Sequence, residues 1–359
     1  MASYNIPQIN KQINIPYLVK VGYGKFQKIG KYLIDKELDN IALFWGEGLE
    51  KTYGNILQTG FKKHKIKTLH KQDVKEISIE DITKTAFNLP PEVEVIIGIG
   101  GGKALDYAKY VAHLLKLPFV SVPTTVSNDA FCAPGVSLTV AGRRKSIKSG
   151  IPFGVVVDLD IIKTCPTAHI YSGIGDMVSK LTALHDWKIA TEKKLSRYND
   201  FASLMAYNSL DLLFLKHTSD INKSEFQRSL VNSLLMSGIA MEMAGTSRPA
   251  SGPEHLISHA LDEVSAKSGL HGLQVGVATY LCALLQGNRD TDNLRRILKD
   301  TGFIKFMKKQ PLNKDEFIKA LKLAPKIKNN YYTILSEKSS FNRALEFLEK
   351  DKILQILVE

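Results

Sequence analysis

Short apolar runs alternate with stretches of helical periodicity between about residues 15 and 166, and this alternation constrains the fold more than any other feature. The runs are brief, rich in β-branched side chains and bounded by Gly or Pro, which is typical of parallel strands buried on both faces. The clearest of them are residues 41–45, 93–98, 118–123 and 154–158. The pattern predicts βαβ units that build a mostly parallel, Rossmann-like sheet.

The second half of the chain changes to helical spacing. Apolar residues recur there on one helical face, for example at Phe226, Leu230 and Leu234. The 359 residues also exceed the ~250–300 at which a single hydrophobic core usually splits. We therefore predict an α/β domain over residues 1–166 and an all-α domain over residues 167–359.

The expected boundary lies between Pro166 and Gly173. Proline stops regular structure, and the pair Ser172 and Gly173 permits a sharp entry into the next helix. This interpretation places Asp176 at the start of that helix.

The chain shows no sign of membrane insertion or secretion. No run approaches the ~18 consecutive apolar residues of a membrane span, and the first residues lack the apolar core of a signal peptide. Cys132, Cys165 and Cys282 are far apart and odd in number, which excludes a disulfide framework and a cysteine-rich zinc knuckle. We expect a cytoplasmic protein whose metal ligands, if it has any, are histidines and carboxylates.

The net charge of +12 fits either a small anionic substrate or nucleic acid. Much of the excess lies in lysine-rich stretches at residues 62–65 and 305–309, without repeated interleaving of aromatic and basic side chains. Such stretches are usually solvated surface. We therefore expect a small anionic substrate and no nucleic-acid partner.

A glycine-rich loop follows one of the predicted strands. Gly100, Gly101 and Gly102 precede Lys103 and a stretch of helical period that begins at Ala104. Glycine lets backbone N–H groups approach a pyrophosphate at a helix N-terminus, where the helix dipole favours negative charge. The spacing is not G-x-G-x-x-G. The residues themselves therefore leave a structural turn and a phosphate-binding loop both open.

A cluster of short polar side chains follows the next predicted strand, after Pro123. Thr124, Thr125, Ser127 and Asp129 would lie at the carboxyl end of the sheet, where open α/β sheets bind ligands. Hydroxyls can hold a nicotinamide or a ribose, and Asp129 can accept a hydrogen bond from a substrate hydroxyl. A helix cap or an Asx-turn after the proline is the alternative interpretation.

Histidines in the second half have metal-ligand spacing. His255 and His259 are four residues apart and share one side of a helix, and His271 follows sixteen residues after His255. With Asp176 they offer four candidate ligands, enough for a site of three protein ligands and an open position. The order Glu254-His255 is not H-E-x-x-H, so a metalloprotease is not expected. Each histidine taken singly could instead be a hydrogen-bonded structural residue.

Taken together, these motifs resemble the group that joins iron-containing alcohol dehydrogenases, glycerol dehydrogenases and dehydroquinate synthases. The likeness covers about residues 16–271, and the last ~80 residues match only loosely. Ser247-Arg248-Pro249 is similar to the branch that acts on glycerol 1-phosphate. The motifs are GIGGGKALDYAK (98–109), VPTTVSND (122–129), SGIGDMVSK (172–180), SRPASGPEHLISH (247–259) and LHG (270–272).

This resemblance implies a dehydroquinate synthase-like fold, with an α/β N-terminal domain followed by an all-α C-terminal domain. It implies a divalent metal, zinc before iron or nickel, held by Asp176, His255 and His271. It implies that Asp129, Asp176 and His259 are the catalytic and substrate-binding residues. The residues implied to bind NAD(P) are Gly100, Gly101, Gly102, Lys103, Ala104, Asp106, Thr124, Thr125, Val126 and Ser127.

The implied activity is that of a metal-dependent NAD(P)H oxidoreductase that interconverts dihydroxyacetone phosphate and sn-glycerol 1-phosphate. We also expect the protein to form a homo-oligomer. Two alternatives stay within the group: a glycerol or other polyol dehydrogenase, and a non-redox cyclase of the dehydroquinate synthase kind. A third is a basic nucleic-acid-binding module built on a retired enzyme fold, which an intact Asp176, His255 and His271 argue against.

Two positions depart from the pattern of this branch. Ala133 stands where a serine is usual, which removes one expected hydrogen bond to the cofactor. Leu273 stands where a glutamate usually follows the His-Gly pair. Neither is an expected metal ligand, but both bear on the cofactor and the substrate.

Overall fold

The computed structural model of the protein describes residues 13–214, 219–265 and 269–359. The first twelve residues, for which we expect no signal peptide, lie outside this description. The predicted fold class is confirmed: a parallel α/β sheet is followed by helices. Among the described residues, none of the helices combines the length and apolar character that crossing a membrane requires.

The strands occur in the first half of the chain. They are β1 (Leu18–Gly22), β2 (Asn40–Gly46), β3 (Lys67–Val74), β4 (Val95–Gly100), β5 (Phe119–Pro123), β6 (Gly135–Val140), β7 (Arg143–Lys148) and β8 (Gly154–Asp158).

The helices of the first half are α1 (Ile29–Ile34), α2 (Leu49–Lys63), α3 (Ile79–Asn88), α4 (Gly102–Leu115) and α5 (Leu159–Ile162). Those of the second half are α6 (Thr167–Val178), α7 (Lys180–Glu192), α8 (Asp200–Phe214), α9 (Ser224–Ala244), α10 (Pro253–Val264), α11 (His271–Gln286), α12 (Thr291–Asp300), α13 (Phe303–Met307), α14 (Lys314–Leu323), α15 (Ser340–Lys350) and α16 (Leu354–Leu357). Single 3₁₀ turns occur at Phe26–Lys28, Asp129–Phe131, Ala324–Lys326 and Ile334–Ser336.

Six strands form one parallel sheet in the order β1-β8-β5-β4-β2-β3. The four inner strands are the four apolar runs of the sequence, because each is buried on both faces. The edge strands β1 and β3 are partly exposed and carry lysines, so they lack a continuous apolar run. Charged side chains on an edge also discourage pairing with other chains.

A second sheet consists of β6 and β7, which pair antiparallel as a hairpin. The hairpin lies between the turn after β5 and the last sheet strand. Its base is at Gly135 and Lys148, which pair with one another. The hairpin therefore stands beside the carboxyl end of the sheet.

Each face of the large sheet has its own core. Along β2, Ala42 and Phe44 belong to one core, while Ile41, Leu43 and Trp45 belong to the other, as the alternation of side chains along a strand requires. The first of these cores continues through the helices of the second half to the C-terminus. One core thus crosses the predicted boundary at residue 166, and the division into two domains stays a prediction.

The expected entry into a helix at Ser172 and Gly173 is wrong, because both residues lie inside α6. Glycine serves there for close packing rather than for a turn. A Cβ on Gly173 would lie 2.0 Å from the carbonyl oxygen of Val126, and one on Gly175 would lie 1.9 Å from that of Gly272. Helix α6 therefore approaches the backbone of its neighbours more closely than any side chain would allow.

Candidate metal and cofactor site

A cleft of about 700 Å³ lies where the carboxyl end of the sheet, the β6–β7 hairpin and the helices of the second half meet. Its walls contain residues from both halves of the chain. Of the predicted site residues, those that line it are Gly102, Lys103, Asp106, Ser127, Asp129, Asp176, His255, His259 and His271.

Asp176, His255 and His271 come together in this cleft. One ligand atom of each lies within 4.8 Å of the other two. Nε2 of His255 is 3.5 Å from Oδ1 of Asp176, and the ring centroids of His255 and His271 are 5.0 Å apart. The structure therefore brings the three predicted metal ligands to one point, from three different helices.

Asp176 reaches this point from the last turn of α6, not from the start of a helix as expected. His271 is the first residue of α11, directly before Gly272. The glycine contact between α6 and α11 brings the two backbones together, and so places Asp176 beside His271. The glycines of the S-G-I-G-D motif thus act through helix packing.

Hydrogen bonds fix the orientation of both imidazoles. Nδ1 of His255 lies 2.9 Å from Oε1 of the fully buried Glu254, so Nδ1 donates to that carboxylate and Nε2 is directed toward Asp176 in the cleft. Ser258 Oγ donates to Oε1 of Gln274 at 2.7 Å and accepts from Nδ1 of His271 at 2.9 Å. Such partners behind a ligand are typical of histidines that bind metal.

His259 lines the same cleft one helical turn beyond His255. Its ring centroid is 6.5 Å from that of His255 and 5.6 Å from that of His271, and it does not belong to the group of three ligands. Burial, followed by the charges of His255 and Lys328, lowers the pKa of His259 to about 3. The ring is therefore neutral at pH 7 and can donate one N–H to a ligand in the cleft.

A buried lysine joins two carboxylates at the base of the site. Lys180 Nζ lies 3.4 Å from Oδ2 of Asp129 and 3.4 Å from Oδ2 of Asp176. Burial would raise the pKa of the Asp176 carboxyl, but Lys180 and His255 outweigh it and hold that pKa well below its usual range. Burial and the charge of Asp176 raise the pKa of Asp129. Asp176 is therefore an anion suited to bind a cation.

Asp129 is further held by Ser237, whose Oγ donates to Oδ2 at 2.6 Å. Both contacts use Oδ2, which leaves Oδ1 for a ligand. The 3₁₀ turn that begins at Asp129 is capped by Asn128, whose side chain accepts from the backbone N–H of Ala130. The cap that we considered for this turn thus exists, but Asn128 forms it and Asp129 stays in the cleft wall.

The glycine-rich loop links β4 to the N-terminus of α4, as predicted. Gly100 has φ of +153° and lies against the backbone of Gly46, where a Cβ would be 3.1 Å from the amide nitrogen. A Cβ on Gly101 would lie 3.6 Å from Oγ1 of Thr125, an ordinary van der Waals contact, so no close neighbour blocks this end of the helix. The free N–H groups at the start of α4 are thus accessible to an anion.

Several predicted cofactor residues do not line the cleft. Gly100, Gly101, Ala104, Thr124, Thr125 and Val126 are not among its lining residues. Val126 is fully buried, and its carbonyl oxygen contacts Gly173 of α6. Asp106 does line the cleft, but its Oδ2 accepts from the backbone N–H of Ser137 in the hairpin. Asp106 therefore has a structural contact besides any contact with the cofactor.

The two departures from the family pattern have different surroundings. Ala133 lines the cleft, so the missing hydroxyl faces the ligand. Leu273 is buried in the main hydrophobic core, where an apolar side chain is the favourable choice.

Four contributors to the site were not identified from the sequence: Lys180, Glu254, Ser258 and Lys328. The spacing offered a signal for two of them. Lys180 is four residues after Asp176, and Ser258 is three residues after His255, so each shares a helical side with a proposed ligand. Lys328 lies in the loosely patterned end of the chain, which gave no signal.

The residues present fit both a metal and a dinucleotide. Two imidazoles with oriented Nε2 lone pairs and one carboxylate form the donor set that zinc and similar divalent ions accept. Glycines that leave a helix N-terminus open fit a pyrophosphate.

Known proteins resemble this chain over nearly its full length. The model of the family of iron-containing alcohol dehydrogenases matches residues 20–166. The chain is 32% identical over 348 residues to the glycerol-1-phosphate dehydrogenase [NAD(P)+] of Aeropyrum pernix, covering 94% of this chain and 97% of that protein. It is 33% identical to that of Nitrosopumilus maritimus, covering 94% and 95%.

Solved structures show the same fold at lower identity. The glycerol dehydrogenase of Schizosaccharomyces pombe superposes with a TM-score of 0.77 at 20% identity, over 96% of this chain and 91% of that one. From its curated relatives, the chain belongs to the glycerol-1-phosphate dehydrogenase family within the iron-containing alcohol dehydrogenases.

Proposed function

We propose that this protein interconverts dihydroxyacetone phosphate and sn-glycerol 1-phosphate: the ketone, NAD(P)H and a proton give the secondary alcohol and NAD(P)⁺. The observation that carries the proposal is the convergence of Asp176, His255 and His271 in the cleft that the glycine-rich loop also borders. The names of relatives that match nearly the full length of the chain support the same reaction.

Asp176, His255 and His271 would hold a divalent ion, for which we propose zinc. When bound, the ion supplies a Lewis acid for the ketone oxygen and NAD(P)H supplies the hydride. Glu254 and Ser258 keep the two imidazoles in the tautomer that leaves Nε2 free.

Two further residues would bind the substrate. Asp129 presents Oδ1 to a substrate hydroxyl, because Ser237 and Lys180 occupy its other oxygen. His259 is neutral and donates an N–H toward a substrate oxygen. These contacts would orient the substrate. His259 would thus bind the substrate, and only His255 and His271 among the three histidines would bind the metal.

The cofactor would lie along the carboxyl end of the sheet. Backbone N–H groups at the start of α4 bind its pyrophosphate, and Ser127 lies in the wall between that point and the ligand cluster. The homo-oligomeric state and a cytoplasmic location remain predictions from the sequence.

The test is cofactor oxidation followed by absorbance after the protein has been stripped with a chelator and reloaded with zinc, iron or nickel. NADH and NADPH are each supplied with dihydroxyacetone phosphate or with dihydroxyacetone, and NAD(P)⁺ with glycerol. We expect turnover with dihydroxyacetone phosphate. A product that sn-glycerol-3-phosphate dehydrogenase fails to oxidise supports the stereochemistry.

Two outcomes would replace this proposal. Turnover confined to dihydroxyacetone or glycerol would indicate a polyol dehydrogenase. Conversion of a sugar phosphate with steady cofactor absorbance would indicate a cyclase of the dehydroquinate synthase kind.

A further inference from the structure

Lys328 reaches the cleft from the C-terminal part of the chain. It follows the 3₁₀ turn at Ala324–Lys326, which packs against α10, the helix of His255 and His259. Its side chain lines the cleft together with His259. Its charge is also one of those that act on His259. The segment thus places a cation on the side of the cleft where the substrate residues lie.

Arg248 holds this segment in place. Its Nη1 donates to the carbonyl oxygen of Tyr332 at 2.6 Å, and its guanidinium lies 3.6 Å from the ring centroid of Tyr331. Tyr331 in turn donates its hydroxyl to the carbonyl oxygen of Ser251. Arg248 is 4% exposed and does not line the cleft. Its role is therefore to position the segment that carries Lys328.

The other cations in the wall are less free to bind a substrate. Lys103 Nζ donates to the carbonyl oxygen of Lys75 at 3.0 Å, and Arg144 pairs with Asp262 at 3.1 Å. Among the residues described, no carboxylate lies within ion-pair distance of Lys328 Nζ. Lys148 also lines the cleft, from the hairpin on the opposite wall, and serves below as a comparison.

We infer that Lys328 binds the phosphate group of the substrate beside His259, and that Arg248 positions it. The inference rests on the proposed function, because it names the residue that would distinguish dihydroxyacetone phosphate from dihydroxyacetone. An ammonium and a phosphate form short, charge-assisted hydrogen bonds, which are stronger than those between neutral groups. The Tyr331 ring, 4.6 Å from Lys328 Nζ, restricts the side chain before the substrate arrives.

The test compares Lys328→Met with Lys326→Met, an exposed lysine of the same segment that does not line the cleft. In the metal-loaded enzyme, we expect Lys328→Met to raise the KM for dihydroxyacetone phosphate at least tenfold. The kcat/KM for dihydroxyacetone and the KM for NADH and NADPH should change less than twofold, which separates the substrate phosphate from the phosphates of the cofactor. Lys328→Arg should recover part of the affinity.

Inorganic phosphate supplies a readout that does not need turnover. Calorimetric titration of phosphate into the metal-loaded protein should show binding that Lys328→Met weakens at least tenfold and Lys326→Met does not. If the wild type fails to reduce dihydroxyacetone phosphate but shows this binding, the proposed function fails while the anion site stands.

Three results would overturn the inference. One is an unchanged KM for dihydroxyacetone phosphate in folded, metal-loaded Lys328→Met. Another is an equal loss of activity toward the phosphorylated and unphosphorylated ketones. The third is a tenfold effect in Lys148→Met that is absent in Lys328→Met.

The positioning of the segment that carries Lys328 is tested with Tyr331→Phe, which removes the hydroxyl that donates to Ser251 and keeps both cations. The KM for dihydroxyacetone phosphate should rise several-fold with an unchanged kcat, and the constants for dihydroxyacetone should stay as they are. A fall in kcat for both substrates would contradict a role through Lys328.

Discussion

Glycine has different functions on the two sides of the cleft. In the loop before α4, a Cβ on Gly101 would lie 3.6 Å from Oγ1 of Thr125, an ordinary contact, so packing does not require glycine there. Between α6 and α11, a Cβ on Gly175 or Gly272 would lie 1.9 Å from a carbonyl oxygen of the other helix. A side chain at Gly101 would therefore fit, whereas α6 and α11 pack too closely to admit one at Gly175 or Gly272.

The two sides also bind their ligands by different means. The loop offers backbone N–H groups, which no mutation of a side chain removes. The helical side offers side chains of Asp176, His255 and His271, each held by neighbouring residues. Substitutions on the helical side should therefore lower metal affinity or the free energy of unfolding. Substitutions in the loop should lower only the affinity for the cofactor.

The largest effect is expected from the ligands themselves. Asp176→Asn, His255→Ala and His271→Ala should each lose the metal and abolish turnover, since a site with three donors rarely keeps its ion with two. Metal content is measured by elemental analysis, with the exposed His113→Ala as the control. A variant with full metal content and a normal rate would remove that residue from the site.

Gly272→Ala should be the next most severe change. The new methyl group has to displace the Ser172 carbonyl, 1.9 Å from its position, so α6 and α11 must separate. Overpacking of this kind costs about 3 kcal/mol of the free energy of unfolding. Because the contact also places Asp176 beside His271, metal affinity should fall as well. Denaturant unfolding that matches the wild type would contradict the close packing.

Ser258→Ala tests how much the hydrogen bond that orients His271 contributes to metal binding. The variant keeps His271 but removes the hydroxyl that accepts from its Nδ1. We expect a roughly 10–100-fold loss of metal affinity, the usual effect of removing such a partner. Competition with a chelator of known affinity measures it. An unchanged affinity would mean that packing alone orients the ring.

Gly101→Ala is the counterpart on the loop side. The free energy of unfolding and the metal content should match the wild type, because the methyl group makes only an ordinary contact with Thr125 and φ of −84° suits alanine. The KM for the cofactor should rise about tenfold if the pyrophosphate needs that space. If Gly101→Ala lowered the free energy of unfolding as much as Gly272→Ala, glycine would serve close packing on both sides of the cleft.

The sequence predicted best where one physical cause dominates. Strands β2, β4, β5 and β8 were recognisable because burial on both faces demands apolar residues. The edge strand β3 was not recognisable, because solvent on its outer side permits lysines. The helix start at Ser172 and Gly173 was wrong because glycine suits a turn and a close helix contact equally, and only the contact is present.

The site follows the same rule. The spacing of the histidines and the resemblance to a family together pointed to His255, His271 and Asp176, and the structure brings them together. Lys328 could not be found in this way, since the contact between Arg248 and Tyr332 joins residues 84 positions apart. Nothing in the local pattern near residue 328 marks that contact.

The smallest expected effect concerns the choice between NADH and NADPH. Discrimination against a 2′-phosphate normally needs an acidic residue at the end of the strand that meets the adenosine ribose. Here β2 ends at Gly46, and Glu47 stands one position beyond it, exposed in the turn before α2. The next residue, Gly48, has φ of +75°, so the chain turns sharply away from the strand.

A displaced and solvated carboxylate repels a phosphate weakly, because water screens its charge. We therefore expect kcat/KM for NADPH to be at least comparable to that for NADH. Glu47→Gln should leave the ratio of the two constants nearly unchanged. A preference for NADH above about a hundredfold, roughly 2.7 kcal/mol, would mean that an acidic group reaches the ribose after all. If Glu47→Gln then removed that preference, the loop side of the cleft would bind the cofactor through the Glu47 side chain as well as through backbone N–H groups.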